Sequence, residues 1–225
     1  MENLDRLLAH HQIFAHLSDA QREQAVRHSI ARRYAKDAII AWQGEVWPYL
    51  FMVGEGKVSA VKESSEGRRL VVLTLDPGDV LWGLAFYVEG MSMPVMLTAN
   101  ERCGIYLWDR ASLLPILFEN GHALWELTRL MVLRMRHASE LVEGLAFQSV
   151  TGRVARLVLD LSGDAVGTPV ARDMTLDEMA AIVGTTREVV CRTLYRMAQE
   201  GLIQITRTEF TLTDKEGLEQ LIRSP

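Results

Sequence analysis

The stretch TLDEMAAIVGTTREVVCRTLYRM, residues 175–197, reads as two short helices joined at a glycine. Thr175 stands three residues before Glu178, and Thr185 three before Glu188, the spacing of a helix-opening capping box. Between them Gly184 sits where a tight turn needs a residue that tolerates positive φ. Ala180 is small enough for the first helix to approach the second closely. Val190, Leu194 and Met197 recur at i, i+4 and i+7 and predict one buried face on the second helix. Arg187, Glu188, Cys191 and Arg192 fall on the other side, with Thr186 ahead of them and Arg196 behind. Long donors and a carboxylate on the exposed N-terminal half of a second helix suit the base edges of a DNA major groove. The spacing therefore predicts a helix-turn-helix with Thr186, Arg187, Glu188, Cys191, Arg192 and Arg196 as candidate DNA contacts. Glu188 has a purely local alternative, closing the box with Thr185, but its arginine neighbours favour a base contact.

Working outward, residues 202–205 and 209–212 flank a polar turn and predict a two-stranded wing, with Thr213 or Asp214 capping a last short helix. Ahead of the motif, residues 163–173 read as a loop and Thr151 as the cap of a helix in RVARLVLDLSGD. Residues 111–146 are helical, with Leu124, Leu127, Met131, Arg134, Ala138, Leu141 and Leu145 spaced 3, 4, 3, 4, 3, 4. That heptad seam predicts a dimer interface at Leu124, Leu127, Met131, Ala138 and Leu145. The neighbouring stripe, Val132, Met135, Ser139 and Val142, is then expected to pack on the chain's own core. A single wide amphipathic face on one core is the alternative. Between residues 37 and 108 the period becomes that of strands, at 39–40, 49–53, 57–61, 69–75, 95–98 and 104–107. Gly44, Gly54, Gly56, Gly67, Pro77-Gly78 and Gly90 punctuate them, which argues for a β-roll or jelly roll. Residues 1–35 read as two helices, the second opened by Ser18-Asp19 and running through DAQREQAVRHSIARR. The division expected is 1–110, a sensing β-roll; 111–146, a dimerisation helix; and 147–225, a winged helix-turn-helix.

A chain of 225 residues, 48% hydrophobic and 24% charged, has the composition of an ordinary globular protein. No apolar run reaches membrane-spanning length and MENLDRLLAHH lacks a cleavable signal pattern, so the expected place is the cytoplasm, with no membrane partner. Two cysteines, Cys103 and Cys191, fit a reducing interior and are too few for a four-cysteine iron–sulfur cluster. Net charge is −5, and residues 147–225 carry nine Lys/Arg against eleven Asp/Glu. An acidic body with a basic edge at Arg187, Arg192 and Arg196 predicts weak non-specific DNA affinity. A metal-dependent cupin-type enzyme would need clustered histidines in the roll, but the six histidines are His10, His11, His16, His28, His122 and His137. No nucleophile elbow or phosphate loop occurs, and no catalytic or metal site is expected. His10-His11 reads as a solvated helix face.

With these parts in order, nearly the whole chain resembles the cyclic-AMP receptor protein/FNR superfamily of bacterial transcription regulators. The motifs carrying the resemblance are Q-G-E at 43–45, G-x-G at Gly54 and Gly56, P-G-D at 77–79, S-E-L-V-E-G-L-A-F at 139–147, T-G-R-V at 151–154 and T-R-E-V-V-C-R at 186–192. The resemblance implies an α+β fold: a cyclic-nucleotide-type β-roll, a long dimerisation helix and a C-terminal winged helix-turn-helix. It implies a homodimeric activator that binds double-stranded DNA, works with RNA polymerase and answers to a small-molecule effector. Cys191 stands where the receptor-protein branch usually has glycine and the FNR branch serine. Arg187 resembles the receptor-protein branch, which implies a TGTGA-like half-site.

In cyclic-AMP-binding members a glycine-glutamate pair and an arginine-serine pair hold ribose and phosphate. The matching positions here are Trp82-Gly83 and Met93-Pro94, and no basic residue lies between Arg69 and Arg102. Ser139 matches one of the family's two polar dimer-helix residues, but the other position is Ala138. The effector expected is therefore not cyclic AMP but something smaller or more apolar, lined by Trp82, Gly83, Phe86, Met93, Met135, Ala138 and Ser139. A haem-based gas or redox sensor of the same fold is the alternative, with His or Met as axial ligand. DNA binding with no ligand at all is a third. The N-terminal cysteines of the oxygen-sensing branch are missing, so no iron–sulfur cluster is expected.

Overall fold

The computed structural model describes residues 2–163, 166–206 and 208–223. The chain opens with α1 (Glu2–His10), a 3-10 turn at Phe14–His16 and α2 (Asp19–Arg27). Eight strands follow: β1 (Ile30–Tyr34), β2 (Ile39–Ala41), β3 (Tyr49–Glu55), β4 (Val58–Glu63), β5 (Arg69–Leu75), β6 (Val80–Trp82), β7 (Met96–Ala99) and β8 (Cys103–Asp109). Next come α3 (Arg110–Phe118), α4 (Gly121–Phe147), α5 (Val150–Ser162), β9 (Pro169–Ala171), α6 (Leu176–Val183), α7 (Arg187–Gln199), β10 (Ile203–Ile205), β11 (Glu209–Leu212) and α8 (Lys215–Arg223). Asp164 and Ala165 of the expected loop, and Arg207 of the expected wing turn, lie outside the described residues. Among the described residues no helix is long and apolar enough to cross a membrane.

The roll consists of two four-stranded sheets, β1-β8-β3-β6 and β2-β7-β4-β5. Strand β3 shows why they stack. Phe51 and Val53 face a core between the sheets, with Trp47, Val58, Met93, Leu97 and Ile105. Leu50 and Met52 face the opposite way, into a second core built with Leu4, Leu8, Phe14, Trp108, Leu113 and the first half of α4. Burial on both faces explains the unbroken apolar run YLFMV, which alternation alone does not mark. In that second core Trp108 donates its indole N–H to the Ala25 carbonyl at 2.7 Å, fastening α2 to β8.

Compact packing divides the chain inside α4: residues up to Lys62 group with Val72–His137, and Glu63–Val71 with Ala138 onward. The C-terminal body has its own core, with Val154, Val158, Met179, Val183, Val190, Leu194, Met197, Ile203, Leu212 and Leu218 buried.

Several expectations are corrected. Helix α2 stops at Arg27, and residues 30–34, expected to continue it, form β1 because they pair with β8 from Ile30↔Leu107 to Tyr34↔Cys103. The short β6 pairs with β3, a contact that three residues cannot announce in sequence. The wing has three strands, in the order β10-β11-β9, because residues 169–171 of the expected loop pair with β11. Asn120 divides the expected helix 111–146, its side chain capping α4 through the Ala123 N–H at 3.0 Å.

The largest correction concerns the seam of α4. Leu127 is 3% exposed and Leu130 7%, both inside the helical core of their own chain, with Leu124 and Met131 packed against it. The stripe expected to be covered is instead bare: Val132 is 53% exposed, Met135 68% and Val142 65%, with Ser139 exposed too, and Trp125, one heptad before Val132, is 66% exposed. The heptad period is present, but the roll core takes Leu124, Leu127 and Met131, while Ala138 and Leu145 of the same seam stay exposed beside the next stripe.

The Trp108–Ala25 bond yields a first expectation. Trp108→Phe keeps most of the apolar volume but leaves a buried carbonyl without a donor, a loss of about 1–3 kcal/mol. Urea unfolding should show an earlier midpoint at unchanged slope. An unmoved midpoint would mean that the bond contributes nothing.

Candidate nucleic-acid interface

Helix α6 opens with the expected capping box: the Glu178 N–H donates to Thr175 Oγ1 at 3.2 Å, and the Thr175 N–H to Glu178 Oε2 at 2.6 Å. It ends at Gly184, whose φ of 72° and ψ of 47° put it in the left-handed region. The Gly184 and Thr185 N–H groups both donate back to the Ala180 carbonyl, at 2.9 and 3.0 Å. The turn is thereby closed, and α7 leaves in a new direction.

On α7, Val190 (0%), Leu194 (1%) and Met197 (0%) are buried, as the i, i+4, i+7 spacing predicts. Thr193 is buried beside them. Thr186, Arg187, Glu188, Arg192 and Arg196 are exposed, and Cys191 is half-buried with a free thiol. The polar residues thus form one strip, with its N-terminal half outermost.

The opening of α7 differs from expectation. Thr186, not Thr185, is the cap residue, and its side chain makes no cap bond. Instead, the Glu188 backbone N–H and the Thr186 hydroxyl hold the Glu188 carboxyl below the ordinary carboxylate range. Glu188 is therefore an exposed, ionised acceptor at the tip of the helix. Arg187 forms a 3.4 Å ion pair with Asp177 of α6, both side chains well exposed. Such pairs contribute about 0–1 kcal/mol, so Arg187 leaves Asp177 at little cost. Among the described residues Arg192 makes no ion pair. Arg196 is turned back, donating to Thr151 Oγ1 of α5 at 2.6 Å.

Tyr195 is a residue the sequence pattern missed. It is 65% exposed, one turn beyond Cys191 and Arg192 on the same strip. An aromatic side chain between buried Leu194 and Met197 reads as core, and only the helix phase shows that it faces outward.

The expected effector residues have different surroundings: Trp82 and Phe86 both pack on Tyr87, and the others lie elsewhere in the fold. Phe86 lies in the core shared with Leu4, Phe14, Trp108 and Leu127. Met93, 2% exposed, lies in the other core, with Trp47 and Phe51. Trp82 is half-buried, its ring edge-on to Tyr87. Met135, Ala138 and Ser139 are exposed on α4. Gly83 is closed off: a Cβ there would overlap the carbonyl oxygen of Trp47. The residues at the ribose and phosphate positions are thus closed off or buried. Position 83 has no room for an acidic side chain, and position 93 is occupied by core.

His11 also departs from the solvated face expected of it. Its Nδ1 accepts from the Ile13 N–H at 3.2 Å, and burial pushes its pKa down to about 4. Among the described residues no group of three or more His, Cys, Asp and Glu side chains is placed to hold a metal ion.

Comparison with known proteins agrees with this arrangement. Residues 31–120 match the family described as the cyclic nucleotide-binding domain, and residues 152–221 the Crp-like helix-turn-helix domain. The cAMP-activated global transcriptional regulator Vfr of Pseudomonas aeruginosa is 30% identical over 190 residues, 81% of this chain and 89% of that one. The cAMP-activated regulator CRP of Salmonella typhimurium is 28% identical over 190 residues, 83% of this chain and 90% of that protein. Among solved structures, the c-di-GMP-responsive global regulator CLP of Xanthomonas campestris aligns with a TM-score of 0.75 at 24% identity, over 87% of this chain and 99% of that chain. FixK2 of Bradyrhizobium japonicum aligns with 0.70 at 24% identity, over 88% and 98%. These two likenesses show the fold, and the relative 30% identical along most of both lengths shows more: this chain belongs to the CRP/FNR superfamily of transcription regulators, with a cyclic nucleotide-binding domain ahead of a DNA-binding helix-turn-helix.

Proposed function

We propose that the protein is a homodimeric regulator that reads an inverted repeat of TGTGA-like half-sites with α7, working with RNA polymerase and taking no part in catalysis. The observation that carries this reading is the two-sided character of α7. Val190, Leu194 and Met197 are buried, and Arg187, Glu188 and Arg192 are exposed on the opposite side. Arginine donates two hydrogen bonds to guanine O6 and N7, and a carboxylate accepts from cytosine N4. The exposed, ionised Glu188 suits the second role. Tyr195 and Arg196, farther along the strip, suit phosphates rather than bases.

The dimer is proposed on the bare stripe of α4. Trp125, Thr128, Val132, Met135, Ser139, Val142 and Ala146 are all exposed and spaced 3, 4, 3, 4, 3, 4, a full heptad seam one residue beyond the one read from sequence. A second copy of the same helix covers such a stripe by knobs-into-holes packing. The four large apolar residues on it leave an exposed strip that a lone chain would hold in water. A two-fold dimer calls for an inverted repeat, with half-site centres about 34 Å apart.

The effector is proposed not to be cyclic AMP, although the Vfr and CRP relatives carry that activator in their names. Support comes from the closed position at Gly83, the buried Met93 and the lack of a cation anywhere between Arg69 and Arg102. A phosphate buried without a positive partner loses several kcal/mol of hydration, roughly the scale of a micromolar affinity.

Three measurements test these readings. Arg192→Ala should weaken binding by about 1–3 kcal/mol and relax preference at one base pair of each half-site in a binding-site selection. An unchanged consensus would remove Arg192 from base reading. Met135→Glu sets two like charges across the seam and should sediment as monomer with its melting temperature kept. A dimer in that variant moves the interface off this stripe. Calorimetry with cyclic AMP and cyclic GMP should show no heat of binding at micromolar concentration, and a clear isotherm for either would reverse the effector reading.

A further inference from the structure

The segment Thr151-Gly152-Arg153, in the first turn of α5, touches four other helices of the C-terminal body through three adjacent residues. Thr151 Oγ1 accepts from Arg196 of α7 at 2.6 Å. Gly152 lies against the end of α8, where a Cβ would stand 3.0 Å from the Leu221 carbonyl oxygen. Arg153 donates Nε–H to the Val183 carbonyl at 2.8 Å and Nη1–H to the Gln148 carbonyl at 2.7 Å, with the Gly144 carbonyl 3.4 Å away. Val183 is the last residue of α6, and Gly144 and Gln148 belong to the last turn of α4 and the residue after it.

Carbonyls at helix C-termini have no partner within the helix, and they carry the negative end of its dipole. One guanidinium donates to a carbonyl at each of two such ends here, Val183 of α6 and Gln148 just past α4. Its donors form a rigid planar fork, so the two helix ends are held at one separation and one angle. The side chain is also substantially desolvated, and burial lowers its pKa from the usual value.

We propose that Arg153 is a positioning residue that fixes the reading helix relative to the end of α4, so that α4 dictates where α7 meets DNA. This rests on the proposed roles of α7 and α4. The path runs from the end of α4 through the guanidinium to the end of α6, and through the Gly184 turn into α7. The Thr151–Arg196 bond closes it from the far side of α7.

Two variants test it. Arg153→Met keeps the apolar stem and removes every donor, and Arg153→Lys keeps the charge without the fork. Both are to be compared with wild type at equal thermal stability, adjusting temperature where a variant melts earlier. The first readout is hydrogen exchange at residues 138–148 with and without a half-site duplex. In the wild type, DNA should slow exchange there. In both variants that protection should vanish while α7 stays protected. The second is affinity for paired half-sites whose spacing is varied one base pair at a time. The wild type should lose roughly tenfold on a one-base-pair change, and the variants less than about threefold. Equal protection at 138–148 in Arg153→Met, or wild-type behaviour of Arg153→Lys in either readout, overturns the proposal. If the wild type has no preferred spacing, the dimer reading falls, and the exchange experiment, which needs only one half-site, still decides the role of Arg153.

Discussion

Burial of Val190, Leu194 and Met197 against α5, α6 and the wing is the constraint on which the use of this fold depends. Three residues on one face of a helix of 13 leave it a single way to lie, and everything displayed to solvent follows from that phase. Glu188 is outward because Val190 and Leu194 are inward. Its carboxyl is held below the ordinary carboxylate range by its own backbone N–H, one of the unpaired donors of the helix N-terminus, and by the Thr186 hydroxyl. Reading chemistry and packing chemistry thus come from the same turns of helix. Under the proposed reading, substitutions in the exposed strip alter recognition with little effect on the core, and changes at Val190 or Leu194 move both.

The long helix shows where period and phase part company. Both α4 stripes, 124/127/131/134/138/141/145 and 125/128/132/135/139/142/146, obey the same 3, 4 spacing. A heptad count cannot choose between them, because a helix wide enough to serve two neighbours is apolar on adjacent stripes. The choice is made by residues remote in sequence. Leu50, Met52, Val80 and Trp108 form the surface that takes Leu127 and Leu130, and the remaining stripe is left uncovered. Leucine content favoured the stripe that the structure buries in its own chain, and β-branched and sulfur-bearing side chains occupy the other.

Local chemistry made the helix-turn-helix legible: a capping box at Thr175 and Glu178, a left-handed glycine at 184 and a 3.6-residue period between them. Strands β5 and β11 were legible for a related reason, since turn residues set their boundaries on either side. What escaped was non-local. Strands β1, β6 and β9 have five, three and three residues, and each exists because a partner strand offers hydrogen bonds from far along the chain. Residues 30–34 even carry two arginines that suit a helix end. Pairing with β8 overrides that preference. The Thr186–Glu188 arrangement failed for a subtler reason: two threonines stand side by side, and which one becomes the cap depends on where the turn at Gly184 releases the chain.

The sensing half poses the sharper physical question. Its sheets have the arrangement of a cyclic nucleotide-binding domain, yet two of the positions expected to meet a nucleotide have passed to the interior. Met93 fills space beside Trp47 and Phe51, whose rings meet edge-on at 5.4 Å, and the Trp47 backbone lies where a side chain at position 83 would project. A guest entering here would have to displace close-packed side chains, each worth about 1.5–3 kcal/mol when buried. It would therefore need to recover that much in apolar contact before it could favour one arrangement of α4 over another. Only such differential affinity moves an equilibrium between conformations. A charged nucleotide has nothing in this interior with which to recover it, whereas an apolar guest replaces like with like. The same packing thus sets the chemical terms on which any effector of this domain must bind.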